Sequence, residues 1–264
     1  MIKTLLICHE GMLLNEKVLP RWMASFSHVS GIILLENRSS GMLRRIKREI
    51  SRVGVIRFID VMLFRIFYRI FCAKSDDAWH EHKIQELLNK YGEAEYKIPV
   101  LRTSDPNSEA AYNFIQKQKP DIMIVRCKQL LKKRIYNEAD IGAFVMHPGI
   151  CPEYRNAHGC FWALVNGDLD KVGMTLLKID EGVDTGPVYG YYMYEFNETK
   201  ESHIRIQWRV VYENLDSIAE KLIEISSGTA MALNTSGRKS KSWGQPWFSA
   251  YIKWKRAMNK KIRT

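Results

Sequence analysis

With 264 residues and 30.8 kDa, the chain is long enough for one large domain with a sizeable core. A composition of 46% hydrophobic and 26% charged residues excludes a disordered, collagen-like or coiled-coil chain. The 40 Lys+Arg against 29 Asp+Glu leave a net charge of +11, and that charge is unevenly placed. Residues 40–75 hold nine basic side chains (Arg44, Arg45, Lys47, Arg48, Arg52, Arg57, Arg65, Arg69, Lys74) against Glu49 and Asp60, a net of +7. Residues 238–264 hold nine basic side chains and no acid, a net of +9, so the remainder carries −5. Two basic blocks thus sit on a mildly acidic body, and the basicity speaks to docking more than to chemistry.

The N-terminus, MIKTLLICHE, has one lysine and a short apolar run, which predicts a first strand and not a signal peptide. Strands are expected at Thr4–Cys8, Ser30–Leu35, Ile98–Leu101 and Asp121–Val125, with helical spacing over Glu81–Tyr91 and Glu109–Gln118. Ser108 is placed to cap the second of these helices, and Pro120 to end it. Alternating strands and helices predict a mostly parallel sheet covered on both faces, an α/β Rossmann-like fold.

Residues 40–75 interrupt that alternation. Gly41–Val53 places Leu43, Ile46, Ile50 and Val53 on one helix face. Val55–Phe71 is almost wholly apolar apart from Arg57, Asp60, Arg65 and Arg69, which recur at three-to-five-residue steps and so are expected to share roughly one stripe. The pair reads either as a helical hairpin packed on the domain, its arginines reaching to water, or as a helix lying in a membrane interface. Nucleic-acid binding is a weaker third reading, because apolar residues outnumber basic ones. The five scattered cysteines form no C-x-x-C pair, so a reducing, cytoplasmic setting without a zinc site is expected. No run of 18 apolar residues occurs. His80 and His82, two apart on a helix, face different ways and do not suggest a metal site.

The chemistry concentrates between Met146 and Tyr192. His147-Pro148-Gly149 follows the apolar run Gly142–Met146, so His147 falls near a strand's carboxyl end, where open α/β sheets place ligands. A helix is expected over Gly159–Val165 and a strand over Gly173–Asp180, followed by the acidic loop Glu181-Gly182-Val183-Asp184. A histidine and an aspartate on adjacent strand-end loops make a general acid/base pair; a buried structural histidine and a turn-forming aspartate are the alternative. Near the C-terminus Trp243, Trp247, Tyr251 and Trp254 alternate with Lys253, Lys255 and Arg256, the pattern of an amphipathic tail packing its aromatics on the body.

The sequence HPGICPEYR, followed by GMTLLKIDEGVDTGPV, closely resembles the formyltransferase family, over residues 95–195 well and over the first strand loosely. The resemblance implies a Rossmann-like catalytic domain over 1–195, with a helical C-terminal extension over 196–264. It implies transfer of a formyl group from 10-formyltetrahydrofolate, without a metal, to an amine acceptor such as an amino sugar or sugar nucleotide. His147 and Asp184 match the family's catalytic histidine and aspartate. Leu130, Leu131, Glu181, Gly182, Val183 and Asp184 match the folate slot, and Arg155 a substrate-positioning arginine. The family's catalytic asparagine should fall at position 145, where this chain has Val145. Hydrolysis of the formyl donor, another one-carbon transfer, or folate binding without turnover are therefore the alternatives. The family's tRNA branch carries a C-terminal β-barrel, whereas residues 204–226 read as helical here, so a tRNA acceptor is disfavoured. A small-molecule amine is the expected partner, peripheral membrane contact through 40–75 is a further expectation, and oligomerisation stays open.

Overall fold

The structure, a computed structural model, describes residues 1–36 and 42–263. Residues 40 and 41 and the side chains of Leu43, Arg44, Arg45, Arg48 and Arg263, to which expectations attach above, lie outside the described residues, as does Thr264.

The chain opens with β1 (Lys3–His9), a π-helical turn at Leu14–Val18, α1 (Leu19–Ala24) and β2 (His28–Leu35). Three helices follow: α2 (Met42–Val53), α3 (Val55–Phe71) and α4 (Ala73–Lys90). Then come β3 (Val100–Thr103), α5 (Glu109–Gln118), β4 (Ile122–Arg126), α6 (Lys133–Tyr136) and β5 (Gly142–His147). The short β6 (Arg155–Asn156), α7 (Gly159–Asn166), β7 (Met174–Lys178) and β8 (Val188–Tyr192) complete the sheet region. The remainder holds α8 (His203–Tyr212), α9 (Leu215–Ser226), β9 (Ser242–Trp243) and α10 (Phe248–Arg263).

Seven strands form one sheet in the order β3-β2-β1-β4-β5-β7-β8. The first five run parallel, while β7 and β8 pair antiparallel. The strand order reverses between β1 and β4, and His147 ends the next strand outward from that crevice. Burial follows the two-residue pleat. Leu6, Cys8, Ile122, Ile124, Phe144 and Met146 join the core under α1, α4 and α7–α10. Leu5, Ile7, Ile33, Leu35, Met123 and Val125 join a second core with Ala111 and Ile115 of α5. Parallel strands covered on both faces require such continuous apolar runs. Ser108 caps α5 by accepting the Ala111 N–H at 3.2 Å.

The expected helix over 81–91 is the second half of α4, which begins eight residues earlier, and β3 starts two residues later than expected. Residues 55–71 form a helix whose polar residues do not share one stripe. Arg57 stacks over Trp247 at 3.6 Å, Asp60 accepts from Ser249, and Arg65 reaches Gln245 at 3.5 Å, while Arg69 is exposed. Val61 and Phe64 are the buried residues of α3, and Phe64 packs on Phe161, His203 and Tyr251.

Candidate active site

His147 ends β5 with its side chain almost wholly enclosed. Its Nε2 lies 2.9 Å from the Tyr154 carbonyl oxygen, which can only accept, so Nε2 carries the proton and donates. Its Nδ1 lies 3.4 Å from Asp184 Oδ2. The same Oδ2 accepts the backbone N–H of Asn156 at 2.8 Å. Three chain segments therefore meet on one carboxylate oxygen: the end of β5, the β6 strand and the acidic loop after β7.

The loop that carries His147 is held from below by Thr175 of β7, which has no exposed surface. Its hydroxyl donates to the Gly149 carbonyl at 2.7 Å and accepts the Cys151 N–H at 3.0 Å. Gly149 has no room for a side chain: a Cβ there would lie 2.5 Å from the Tyr154 carbonyl oxygen and 2.8 Å from His147 Nε2. Three non-glycine residues around the site adopt left-handed backbone, namely Asn156 (φ 74°), His158 (φ 56°) and Asp184 (φ 52°). Such conformations cost about 1–3 kcal/mol each and persist where surrounding contacts over-determine them.

The C-terminal segment supplies those contacts. β9 pairs with β6, and Trp243 donates its indole N–H to the Glu153 carbonyl at 2.9 Å. Trp243 also stacks against Trp162 with centroids 4.8 Å apart, and against Tyr154 at 5.7 Å. Arg238 forms a two-pronged pair with Glu153 at 2.7 and 2.9 Å. Trp254 is buried, so the tail's aromatics pack on the body.

Arg155 directs Nη1 to the Val183 carbonyl at 2.8 Å and thereby ties the acidic loop to β6, while its Nε is buried without a partner. Glu181 pairs with Lys133 at 3.4 Å, which brings the start of α6, where the loop after β4 ends, opposite the acidic loop. Leu130 and Leu131 part company there: Leu130 is 62% exposed, whereas Leu131 is buried in the α5-side core. The residues named from the sequence thus fall into two groups. His147, Asp184, Arg155 and Val183 are joined by contacts, while Leu130, Glu181 and Gly182 rim the surface beside them and Leu131 lies beneath.

Val145 shares the face of β5 with His147 and packs against the apolar cluster of Cys151, Leu177 and Val188. The Asn156 amide N–H is used on the Trp243 carbonyl at 2.7 Å. His158, beside Gln245 and Arg65, has its pKa pushed down to about 4 by burial. Burial, aided by the charge of Asp184, pushes the Cys151 thiol up to about 12, which removes it as a nucleophile.

The strand-order crevice holds Arg126, which the sequence pattern did not single out, together with His9 at the end of β1. Arg126, at the end of β4, donates from Nε to Asn15 Oδ1 at 3.2 Å, and burial lowers its pKa. His9 accepts the Lys128 N–H at 3.2 Å, and its Nδ1 is buried without a partner. The signal available was a lone arginine ending the apolar run DIMIV. His80 bonds the Tyr212 hydroxyl at 2.8 Å while His82 pairs outward with Glu86, and no metal-binding cluster occurs among the described residues.

A family model described as formyl transferase matches residues 74–214. A methionyl-tRNA formyltransferase of Kosmotoga olearia is 37% identical over 95 residues, which is 36% of this chain and 30% of that relative. The matched stretch is therefore less than a third of that relative's length. A sugar N-formyltransferase from a Shewanella species superposes with a TM-score of 0.54 at 12% identity, over 97% of this chain and 88% of that one. An N-formyltransferase from Helicobacter canadensis, solved with folinic acid and dTDP-3-aminofucose, gives 0.51 at 14% identity, over 92% and 71%. At these identities the structural likeness concerns the fold.

Proposed function

The chain belongs to the formyl transferase family, and from that premise we propose that it transfers a formyl group from 10-formyltetrahydrofolate to a small amine, an amino sugar or sugar nucleotide. The observation that carries the proposal is the contact of His147 Nδ1 with Asp184 Oδ2 at the carboxyl end of the sheet. Residues 1–195 form the catalytic unit in this reading, and residues 196–264 the extension that braces it.

Formyl transfer requires the amine nitrogen to bond to the formyl carbon and lose a proton, while the donor's carbon–nitrogen bond breaks and its nitrogen gains one. Both contacts of Asp184 here run through Oδ2, so Oδ1 is the atom assigned to accept a hydrogen bond from the incoming amine. His147, already holding one proton at Nε2, is assigned to take the amine's proton at Nδ1, beside the carboxylate that balances the resulting charge, and to return it to the donor's nitrogen as the carbon–nitrogen bond breaks. Arg155 fixes the acidic loop through the Val183 carbonyl and is the positioning residue for an anionic acceptor.

The donor fits the rim between the loop after β4 and the acidic loop. Leu130 and Val183 leave apolar surface exposed there, and the buried Gln129 Oε1 has no partner. Apolar walls with a few unsatisfied polar groups suit a flat heteroaromatic ring. The Helicobacter canadensis protein, solved with folinic acid and a dTDP-amino sugar, supports a folate donor and a nucleotide-sugar acceptor. Residues 40–75 supply a peripheral membrane contact, with the protein otherwise cytoplasmic.

A second reading, folate binding without turnover, is favoured by the apolar packing of Val145, which offers no hydrogen-bond donor beside His147. Losing one such donor typically costs about 10²–10³ in rate. One assay separates the readings. Purified protein with 10-formyltetrahydrofolate and a panel of amino-sugar nucleotides releases tetrahydrofolate only with an acceptor if it is a transferase. Acceptor-independent release identifies a hydrolase, and folate binding without release identifies the silent relative.

A further inference from the structure

The outward face of α3 is a continuous aliphatic surface. At 100° per residue, Val55, Ile66, Ile59, Ile70, Leu63 and Ile56 fall in that order within about 100° of arc. Each of the six is more than half exposed, Ile56 reaching 88%. No charged or polar residue falls inside the arc. The opposite face is the one that packs, through Val61 and Phe64. This helix therefore meets the domain with one side and leaves its most aliphatic side in water, the reverse of an ordinary surface helix.

Charge borders the arc on both sides. Arg69 and Arg65, both exposed, lie about 40° and 80° beyond Val55. On the other side, Asp60 follows Ile56 by about 40° and accepts from Ser249 of α10. Ser249 begins a row that continues through the exposed Lys253 and Arg256 at helical spacing. α10 lies alongside α3 in the same direction, since Ser249 meets Asp60, and Tyr251 meets Phe64 and Phe67. The basic row thus runs beside the apolar arc.

We propose that this face, with its two cationic borders, docks in the plane of an anionic phospholipid surface. An apolar arc bounded by basic residues matches the acyl boundary below a layer of anionic headgroups, with the arginine and lysine stems reaching out to the phosphates. A second copy of the chain is the less suitable occupant, because pairing two such faces would set cationic borders against each other. No described helix is long and apolar enough to cross a membrane, so the contact lies on the surface. The inference deepens the membrane contact assigned above and is independent of the formyl chemistry.

Co-sedimentation of the full chain with lipid vesicles tests it. Phosphatidylcholine vesicles with about a third phosphatidylserine should bind the protein, and pure phosphatidylcholine should bind it far less. Raised salt should weaken the binding. Ile59→Ser with Leu63→Ser, both at exposed positions, should reduce partition by about tenfold or more at unchanged circular dichroism. Lys253→Gln with Arg256→Gln should reduce it without touching the apolar arc. Equal binding to both lipids, no binding, or a concentration-dependent dimer abolished by the serine pair would each overturn the proposal. His147→Ala should bind vesicles as the wild type does, whatever the outcome of the formyl-transfer assay.

Discussion

Asp184 Oδ2 stands 3.4 Å from His147 Nδ1 and at the same time accepts the Asn156 backbone N–H at 2.8 Å. The carboxylate is thus oriented by the backbone of the very segment that the C-terminal strand pairs with. Asp184→Asn keeps an oxygen for the Asn156 N–H but removes the charge facing the imidazole. Tetrahydrofolate release should fall by about 10²–10⁴, with melting temperature nearly unchanged. His147→Ala should lose turnover to a similar extent. Full activity in either variant would remove the pair from the mechanism.

Thr175 is the loop's fixed point, since one hydroxyl serves both Gly149 and Cys151. Thr175→Val keeps the shape and strands a buried carbonyl and a buried N–H. A loss of about 2 kcal/mol is expected by urea denaturation, with Thr175→Ser milder because it keeps the hydroxyl. Equal stability of the valine and serine variants would show that the hydroxyl does not clamp the loop.

Trp243→Ala removes the stacks on Trp162 and Tyr154 together with the bond to the Glu153 carbonyl. A cost of about 2–4 kcal/mol is expected, along with lower kcat as the 153–156 segment loosens. A variant with native stability would mean that β9 does not brace the site.

Burial holds His158 near a pKa of about 4 against an ordinary 6.5, and it lowers His203 as well. The unfolded chain binds the extra proton first as pH falls. Stability is therefore full above 6.5 and drains toward pH 4, by on the order of 3 kcal/mol for His158 alone. His158→Gln should flatten the fall of melting temperature over that window, leaving the slope from His203. An unchanged slope in His158→Gln would assign the effect elsewhere.

The sheet was readable because its strands are buried on both faces and so appear as short apolar runs; Thr4–Cys8 and Asp121–Val125 each lie within a residue of the observed strand. The HPG and acidic-loop motifs are local, which is why His147 and Asp184 could be named from them. Arg155 could be named too, but not its partner, because the nearby Glu153 pairs with Arg238, 85 residues away. The bracing by Trp243 and Arg238 and the crevice around Arg126 depend on long-range pairing that periodicity does not encode. The polar border of α3 differs from its spacing for the same reason: α10 and the segment before it take up Arg57 on Trp247 and Asp60 on Ser249.

The pairing of β6 with β9 also sets an order of events. Strands joined across 87 residues cannot meet until the later one has been made. During synthesis the sheet, His147 and Asp184 emerge well before Ser242 and Trp243, so the core can collapse around a site whose 155–156 segment still lacks its partner. Maturation of the site is in this sense a late step. A nascent chain arrested before residue 241 should hold a protected sheet but unprotected Arg155 and Ala157 amides, whose N–H groups bond the Lys241 and Trp243 carbonyls in the finished fold, visible by hydrogen exchange.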